Sequence, residues 1–246
     1  MTLVKEIEVS ERTPVWRYMR FERFVSFMET HELFFCRPCN FDDRWEGRFP
    51  PSFFKNAKRF MDDELRIDLE RRLEMHMYGH FVNCWHMGEH ESDAMWRLYA
   101  LSPNGVAIKS TVRKLRENVR PHSDGAVIYY DPSHNIRTET IFSPSDILFK
   151  REAFRWENEF RLWFDDEETL VKIQRGIPID KEKLLPGIGK TIGDMSEVIE
   201  AVVVAPGATD SFVDQLRETC RQHRKTSLFG RIERSFSDRK WDSFTE

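Results

Sequence analysis

The chain's 246 residues are 40% hydrophobic and 13% aromatic, enough apolar side chain for a substantial core, which excludes a wholly disordered protein. Its 38 basic and 42 acidic residues leave a formal charge of -4, so no bulk attraction draws it to nucleic acid or an anionic membrane, although a local basic patch is compatible with that total. The opening MTLVKEIEVSERTP lacks the apolar core of a secretory signal, no later run reaches membrane-spanning length, and four cysteines do not make a dense disulfide framework, so a cytoplasmic protein without membrane association is expected.

Val15 to Met19 has the character of a strand. Phe21, Phe24, Val25 and Met28 then share a helical face over 21–30, and Leu33-Phe34-Phe35 reads as a second strand. Residues 41–51, rich in Asp, Arg, Gly and Pro, should form a loop, while 52–78 carries a charge-dense helical pattern expected as a solvated surface insertion. Phe81 to Trp85 reads as a buried strand, and 92–100 as a short helix whose Ser92, Met95, Trp96 and Tyr99 share a face. Gly105 to Lys109 is a further strand, after which Thr111 is placed to cap a helix over 112–119. Ala126 to Tyr130 should be a strand and 144–154 a helix. Phe160 to Phe164 alternates as a half-buried strand would; if that strand starts near Trp156, Glu157, Glu159 and Arg161 fall on one face. A strand-helix-strand over 198–236 follows, opened by the β-branched run to Val204 and turned at Pro206-Gly207. With no internal repeat and no long linker, 1–246 is expected as a single α+β domain with a mostly antiparallel central sheet, flanking helices and the insertion at 52–78.

Chemistry-bearing residues concentrate in four blocks. Trp16-Arg17-Tyr18 sets a planar guanidinium between two rings, suited to a phosphate or a base. Phe41-Asp42-Asp43-Arg44-Trp45-Glu46-Gly47 gathers three carboxylates on a loop without the spacing of a calcium site. The third block, Cys84 to Tyr99, holds Trp85, His86, His90, Trp96 and Tyr99, and the fourth runs from Lys150 to Arg161. Cys36, Cys39, Cys84 and His86 are residue types that zinc prefers, but Cys84 and His86 are too close on one extended strand for a standard knuckle, so no zinc site is expected there.

In order along the chain, Trp16-Arg17-Tyr18, Phe41-Asp42-Asp43 with Glu46, Cys84-Trp85, Met95-Trp96 with Tyr99, Gly105-Val106-Ala107-Ile108, and Lys150 followed by Trp156-Glu157-Asn158-Glu159-Phe160-Arg161 resemble the bacterial family known as domain of unknown function 2971. Asp42-Asp43-Arg44 departs from the Asn-Asp-Pro usual there, and the family name carries no activity. More weakly, Arg17, then Ser110-Thr111 after a strand, then Glu157-x-Glu159 are similar to the Arg, Ser, Glu-x-Glu triad of ADP-ribosyltransferases. That second resemblance implies that Arg17 holds the phosphates of NAD, Ser110 steadies the nicotinamide ribose, Glu159 supports an oxocarbenium-like centre and Glu157 orients or deprotonates the acceptor.

Three readings compete. In the first, Glu159, Glu157 and Arg17 catalyse ADP-ribosyl transfer or NAD hydrolysis, with Tyr18, Trp85, Trp96, Tyr99, Ser110, Lys150 and Arg161 binding substrate; NAD is then a substrate, and no tightly held cofactor is expected. In the second, Asp42, Asp43, Glu46, Glu157 and Glu159 bind magnesium in a nuclease or phosphoesterase, with Lys150 neutralising the transition state. In the third, Arg17, Trp85, Trp96 and Arg161 form a non-catalytic pocket for a nucleotide, a nucleic-acid end or a partner protein.

Overall fold

The computed structural model describes residues 7–43, 45–46, 63–101, 103–131 and 146–238, and of 63–66 and 146 the backbone alone. In chain order the elements begin with β1 (Pro14–Arg20), α1 (Phe21–Thr30), β2 (Glu32–Cys36), α2 (Asp63–Tyr78) and β3 (His80–Met87). A helical turn, α3 (Asp93–Met95), widens into a π turn at Trp96–Ala100, and β4 (Gly105–Thr111), α4 (Val112–Val119), β5 (Ser123–Ala126), β6 (Ile128–Tyr130) and β7 (Phe149–Arg151) follow. The last elements are β8 (Glu159–Asp165), α5 (Glu167–Gln174), β9 (Gly187–Thr191), α6 (Met195–Val198), β10 (Ala201–Val204), α7 (Asp210–Gln222) and β11 (Ile232–Arg234). The α+β class and the mostly antiparallel pairing agree with the sequence, since only β10 with β11 and β6 with β7 run parallel among the registers established. No helix of the described residues is long and apolar enough to cross a membrane.

The chain divides into two compact units, each made of three separated stretches. The first takes its described residues from 7–9, 34–84 and 121–189, and the second from 10–33, 85–120 and 190–238. The divisions at 33/34, 84/85 and 189/190 fall inside β2, β3 and β9, so no Gly/Ser/Pro linker marks them.

In the second unit β4 runs antiparallel to β1, from Pro14 opposite Thr111 to Arg20 opposite Gly105, and antiparallel to β10 on its other edge. Side chains alternate along a strand, which puts Trp16, Tyr18, Ala107, Ala201 and Val203 in one apolar cluster with Met95, Trp96, Ala100 and Ala205. The small residues leave room for the two tryptophans. Gly105 has to be glycine, because a Cβ there would lie 2.4 Å from that of Ala100. Thr111 caps α4, its hydroxyl accepting from the Lys114 N–H. The buried face of α1 is Phe24, Phe27 and Met28, one position round from the face expected, with Phe21 half-buried against Phe212 of α7.

In the first unit β8 pairs with both β3 and β5. A strand with neighbours on both edges and cover on both faces has no polar side, and Glu159 to Phe164 are all buried. The half-buried strand read from the alternation is therefore corrected: its charged residues are internal. The expected helix at 144–154 is also replaced. Residues 144–145 lie outside the described residues; beyond them come a short 3₁₀ turn, β7 and a second 3₁₀ turn over Glu152–Glu157. Local pattern misreads this stretch because β7 is made by long-range parallel pairing, Ile128 with Phe149 and Tyr130 with Arg151. The same pairing splits the expected strand 126–130, since Ala126 ends β5 and Ile128 starts β6. Nor is α2 a solvated insertion. From Leu69 to Tyr78 every residue except Glu70 is buried or half-buried, and the helix packs on α5; residues 52–62 of that expectation lie outside the described residues.

Candidate active site

Lys150, at the centre of β7, is buried, and its ammonium meets three carboxylates of the first unit: Glu157, Glu159 at 2.5 Å and Glu46 at 3.5 Å. Glu159 and Arg161 stand on the same face of β8, and the Arg161 Nε donates to Glu159 at 2.6 Å. The remaining donors of Arg161 reach the Ile147 carbonyl at 2.6 Å and Glu46. Glu157 precedes β8 in the 3₁₀ turn, and Asn158 between the two glutamates takes a left-handed conformation with φ 41°. Asn tolerates that region better than most residues. The kink, rather than strand periodicity, brings Glu157 back to the ammonium that Glu159 contacts.

Three carboxylates thus face two cations in a dry interior, and the imbalance falls on one pair. Burial, the hydrogen bond with Glu159 and that residue's charge push Glu157 up to about 8. Burial also disfavours charge on Glu159, but Arg161, the hydrogen bond with Glu157 and Lys150 outweigh it and hold Glu159 well below the usual carboxylate range. Burial opposes the Lys150 charge as well, and Glu159 and Glu46 override it and raise that group. Beside the cluster, burial and the Glu159 charge push the Cys84 thiol and the Tyr129 phenol upward. The Tyr129 hydroxyl accepts the Glu159 backbone N–H at 3.0 Å. His76, fully buried on α2, is pushed well down by burial, His80 and Arg161, and its Nε2 has no hydrogen-bond partner among the described residues. Glu46 enters on a loop tied down by Asp43, whose carboxylate takes two bonds from Arg151 at 2.8 and 3.1 Å.

Arg17, Tyr18, Trp85, Trp96, Tyr99 and Ser110 belong to the second unit. Arg17 lies half-buried with its guanidinium carbon 6.0 Å from the Trp85 ring centroid. Trp85 and Trp96 are each 2% exposed and offer no free face for stacking. Tyr18 packs edge-on against Trp96 at 4.9 Å, accepts the Ser92 N–H at 2.8 Å and is pushed upward by burial. Tyr99 does not share the buried face expected for it: the π turn adds residues per turn, Ala100 takes the internal place, and Tyr99 is 44% exposed. Ser110 is fully buried and its hydroxyl donates to the Val198 carbonyl at 2.6 Å, so no exposed hydroxyl answers to the ribose role its resemblance implies. The carboxyl and cation residues are thus gathered in one unit, and the aromatic residues with Arg17 and Ser110 in the other.

The sequence puts Glu46 in the loop motif and among candidate magnesium ligands, whereas its partners are Lys150 and Arg161. A second buried guanidinium, Arg37, was missed altogether. It donates to the Leu185 carbonyl, the Tyr78 carbonyl and Asp166, and its position inside Cys36-Arg37-Pro38-Cys39 drew attention to the cysteines instead. Those cysteines are free thiols. No group of three or more His, Cys, Asp or Glu among the described residues is arranged to hold a metal ion.

The family model described as "Protein of unknown function (DUF2971)" matches residues 95–162, a stretch that includes Trp96, Ser110, Lys150, Glu157, Glu159 and Arg161. The family resemblance read from the sequence holds over that stretch. No curated protein matches the sequence. Among solved structures, "Thermus sp. 2.9 DarT in complex with ADP-ribosylated ssDNA" is similar with a TM-score of 0.38 and 7% identity, covering 95% of this chain and 98% of that one. At that score and identity nothing of that protein's chemistry transfers to this chain.

Proposed function

We propose that this chain is an ADP-ribosyltransferase-like enzyme that breaks the nicotinamide–ribose bond of NAD, with Glu159 and Glu157 as its catalytic residues. The observation that supports this reading best is that Glu157 and Glu159 meet the same buried Lys150 ammonium while Arg161 contacts Glu159 alone of the two, which lowers Glu159 and leaves Glu157 raised by burial and by its neighbour. Two titratable groups pushed apart by their surroundings have divided roles. An ionised Glu159 stabilises positive charge developing on the ribose as the bonding pair leaves with nicotinamide. The ionised fraction of Glu157 takes the proton from the incoming water or acceptor hydroxyl. Lys150 and Arg161 act as positioning residues that fix the pair.

The test is incubation of purified protein with NAD, with and without cell lysate, following nicotinamide release and mass added to protein or nucleic acid. Glu159→Gln should lower release by about 100-fold or more while circular dichroism stays unchanged. Release by the wild-type protein should rise with pH toward 8 as Glu157 ionises. No release under any of these conditions would overturn the proposal. The non-catalytic reading is favoured by one feature, that both Glu159 oxygens already have a cation; on that reading Glu159→Gln costs stability and there is no turnover to lose.

A further inference from the structure

Of the tryptophans read from the sequence as substrate-binding, Trp85 and Trp96 are enclosed, whereas two others are partly open to solvent: Trp45 is 44% exposed and Trp156 38%. Both belong to the first unit, and each directly precedes a buried glutamate. Trp45 precedes Glu46 and Trp156 precedes Glu157, and both glutamates contact the same Lys150 ammonium. The two indoles are therefore joined, one residue away, to the two ends of one buried charge cluster.

Neither indole hangs on a loose segment. The Trp45 N–H donates to the Asp43 carboxylate at 3.0 Å and the Glu46 N–H to the Asp43 carbonyl at 2.9 Å, while Asp43 is clamped by Arg151 and Glu46 by Arg161. Trp156 sits in the 3₁₀ turn closed by the Asn158 N–H on the Arg155 carbonyl at 3.1 Å. Each indole is part buried and part exposed, and a segment held by buried ion pairs fixes the exposed part in place, which lowers the ordering cost of stacking a ligand on it. Among the described residues the cations near them are matched, Arg151 by Asp43 and Arg155 by Glu152 while it also covers Tyr129 at 5.5 Å. Matched cations give a surface that recognises a ring, not a polyanion that needs unpaired positive charge.

We propose that Trp45 and Trp156 bind the planar nitrogen heterocycle of a small nucleotide, the nicotinamide or the purine, by stacking beside the Glu157–Glu159 pair. This deepens the proposed function by assigning the specificity residues of the same site, and it rests on that reading only for the identity of NAD. The probes are adenosine and nicotinamide, which undergo no turnover, and NAD with the Glu159→Gln protein; binding is read by calorimetry and by quenching of tryptophan fluorescence. Trp45→Ala and Trp156→Ala should each weaken binding by about tenfold or more, and Trp45→Phe and Trp156→Phe should recover most of it, because a smaller ring still stacks. Ring binding with this pattern but no cleavage of NAD leaves the platform standing and removes the transferase. Affinities unchanged in both alanine variants, no saturable binding of any probe, or binding confined to a single-stranded oligonucleotide would each overturn the inference.

Discussion

The first unit buries five charged side chains against one another, whereas the second buries aromatic rings whose polar tips are hydrogen-bonded. Glu46, Lys150, Glu157, Glu159 and Arg161 compete for counterions in a shared network. In the second unit the Tyr18 hydroxyl takes the Ser92 N–H, the Trp16 indole donates to the Gly88 carbonyl at 2.7 Å, and Glu91 collects the Trp96 indole N–H, the Ser235 hydroxyl and the Phe236 N–H at 2.7 to 2.8 Å. One arrangement leaves a proton to be shared between two carboxyls; the other leaves nothing to exchange. Burial alone therefore does not distinguish the two units; the uneven count of buried charges does.

The comparison breaks most visibly at Arg161. Arg161→Ala leaves Glu159 and Glu46 with Lys150 alone and should cost about 3 to 5 kcal/mol in urea unfolding, above the loss of any one neutral hydrogen bond in the second unit. Tyr18→Phe tests the opposite regime: it removes one acceptor, leaves the Ser92 N–H unpaired and should cost about 1 to 2 kcal/mol, with no change in the pH dependence of stability. That pH dependence belongs to the carboxyl pair. Glu157 is raised from 4.5 to about 8, so the folded chain holds a proton that the unfolded chain releases. Its stabilisation is complete below the unfolded value and is lost as pH rises from about 5 to 8, with a slope up to about 1.4 kcal/mol per pH unit that Glu157→Gln should flatten. Glu159 is lowered, so its contribution is present above 4.5 and fades as pH falls below that value. Smallest of all, Arg155→Ala removes an exposed pair with Glu152 and should shift stability by less than about 0.5 kcal/mol.

Elements whose cause is local were legible. α1 follows from apolar spacing, and α4 from Thr111 placed ahead of a helical pattern. What failed was set by distant partners. Phe149-Lys150-Arg151 became a strand because Ile128-Tyr129-Tyr130 lay beside it, and no window around residue 150 contains that information. Tyr99 turned outward because one π turn shifted the phase of a helix. The site was legible in part for a related reason. Glu157, Glu159, Arg161 and Lys150 were recognised as a group from their spacing, yet the route that unites them is the left-handed Asn158 and a glutamate more than one hundred positions upstream. Trp45 and Trp156 were present in the sequence as aromatics, but which rings face solvent is decided by packing.

The interleaving of the two units gives the order of synthesis a physical meaning. The described stretches of the first unit are complete once residue 189 has been made, whereas the second still awaits 190–238. Until then β4 has β1 on one side and nothing from β10 on the other, an open edge carrying Val106 and Ile108. Such an edge invites pairing with another nascent chain. A chain ended after Gly189 would keep every member of the charged cluster and yet carry that adhesive strand, so the last fifty or so residues serve the solubility of a unit that holds none of those charges.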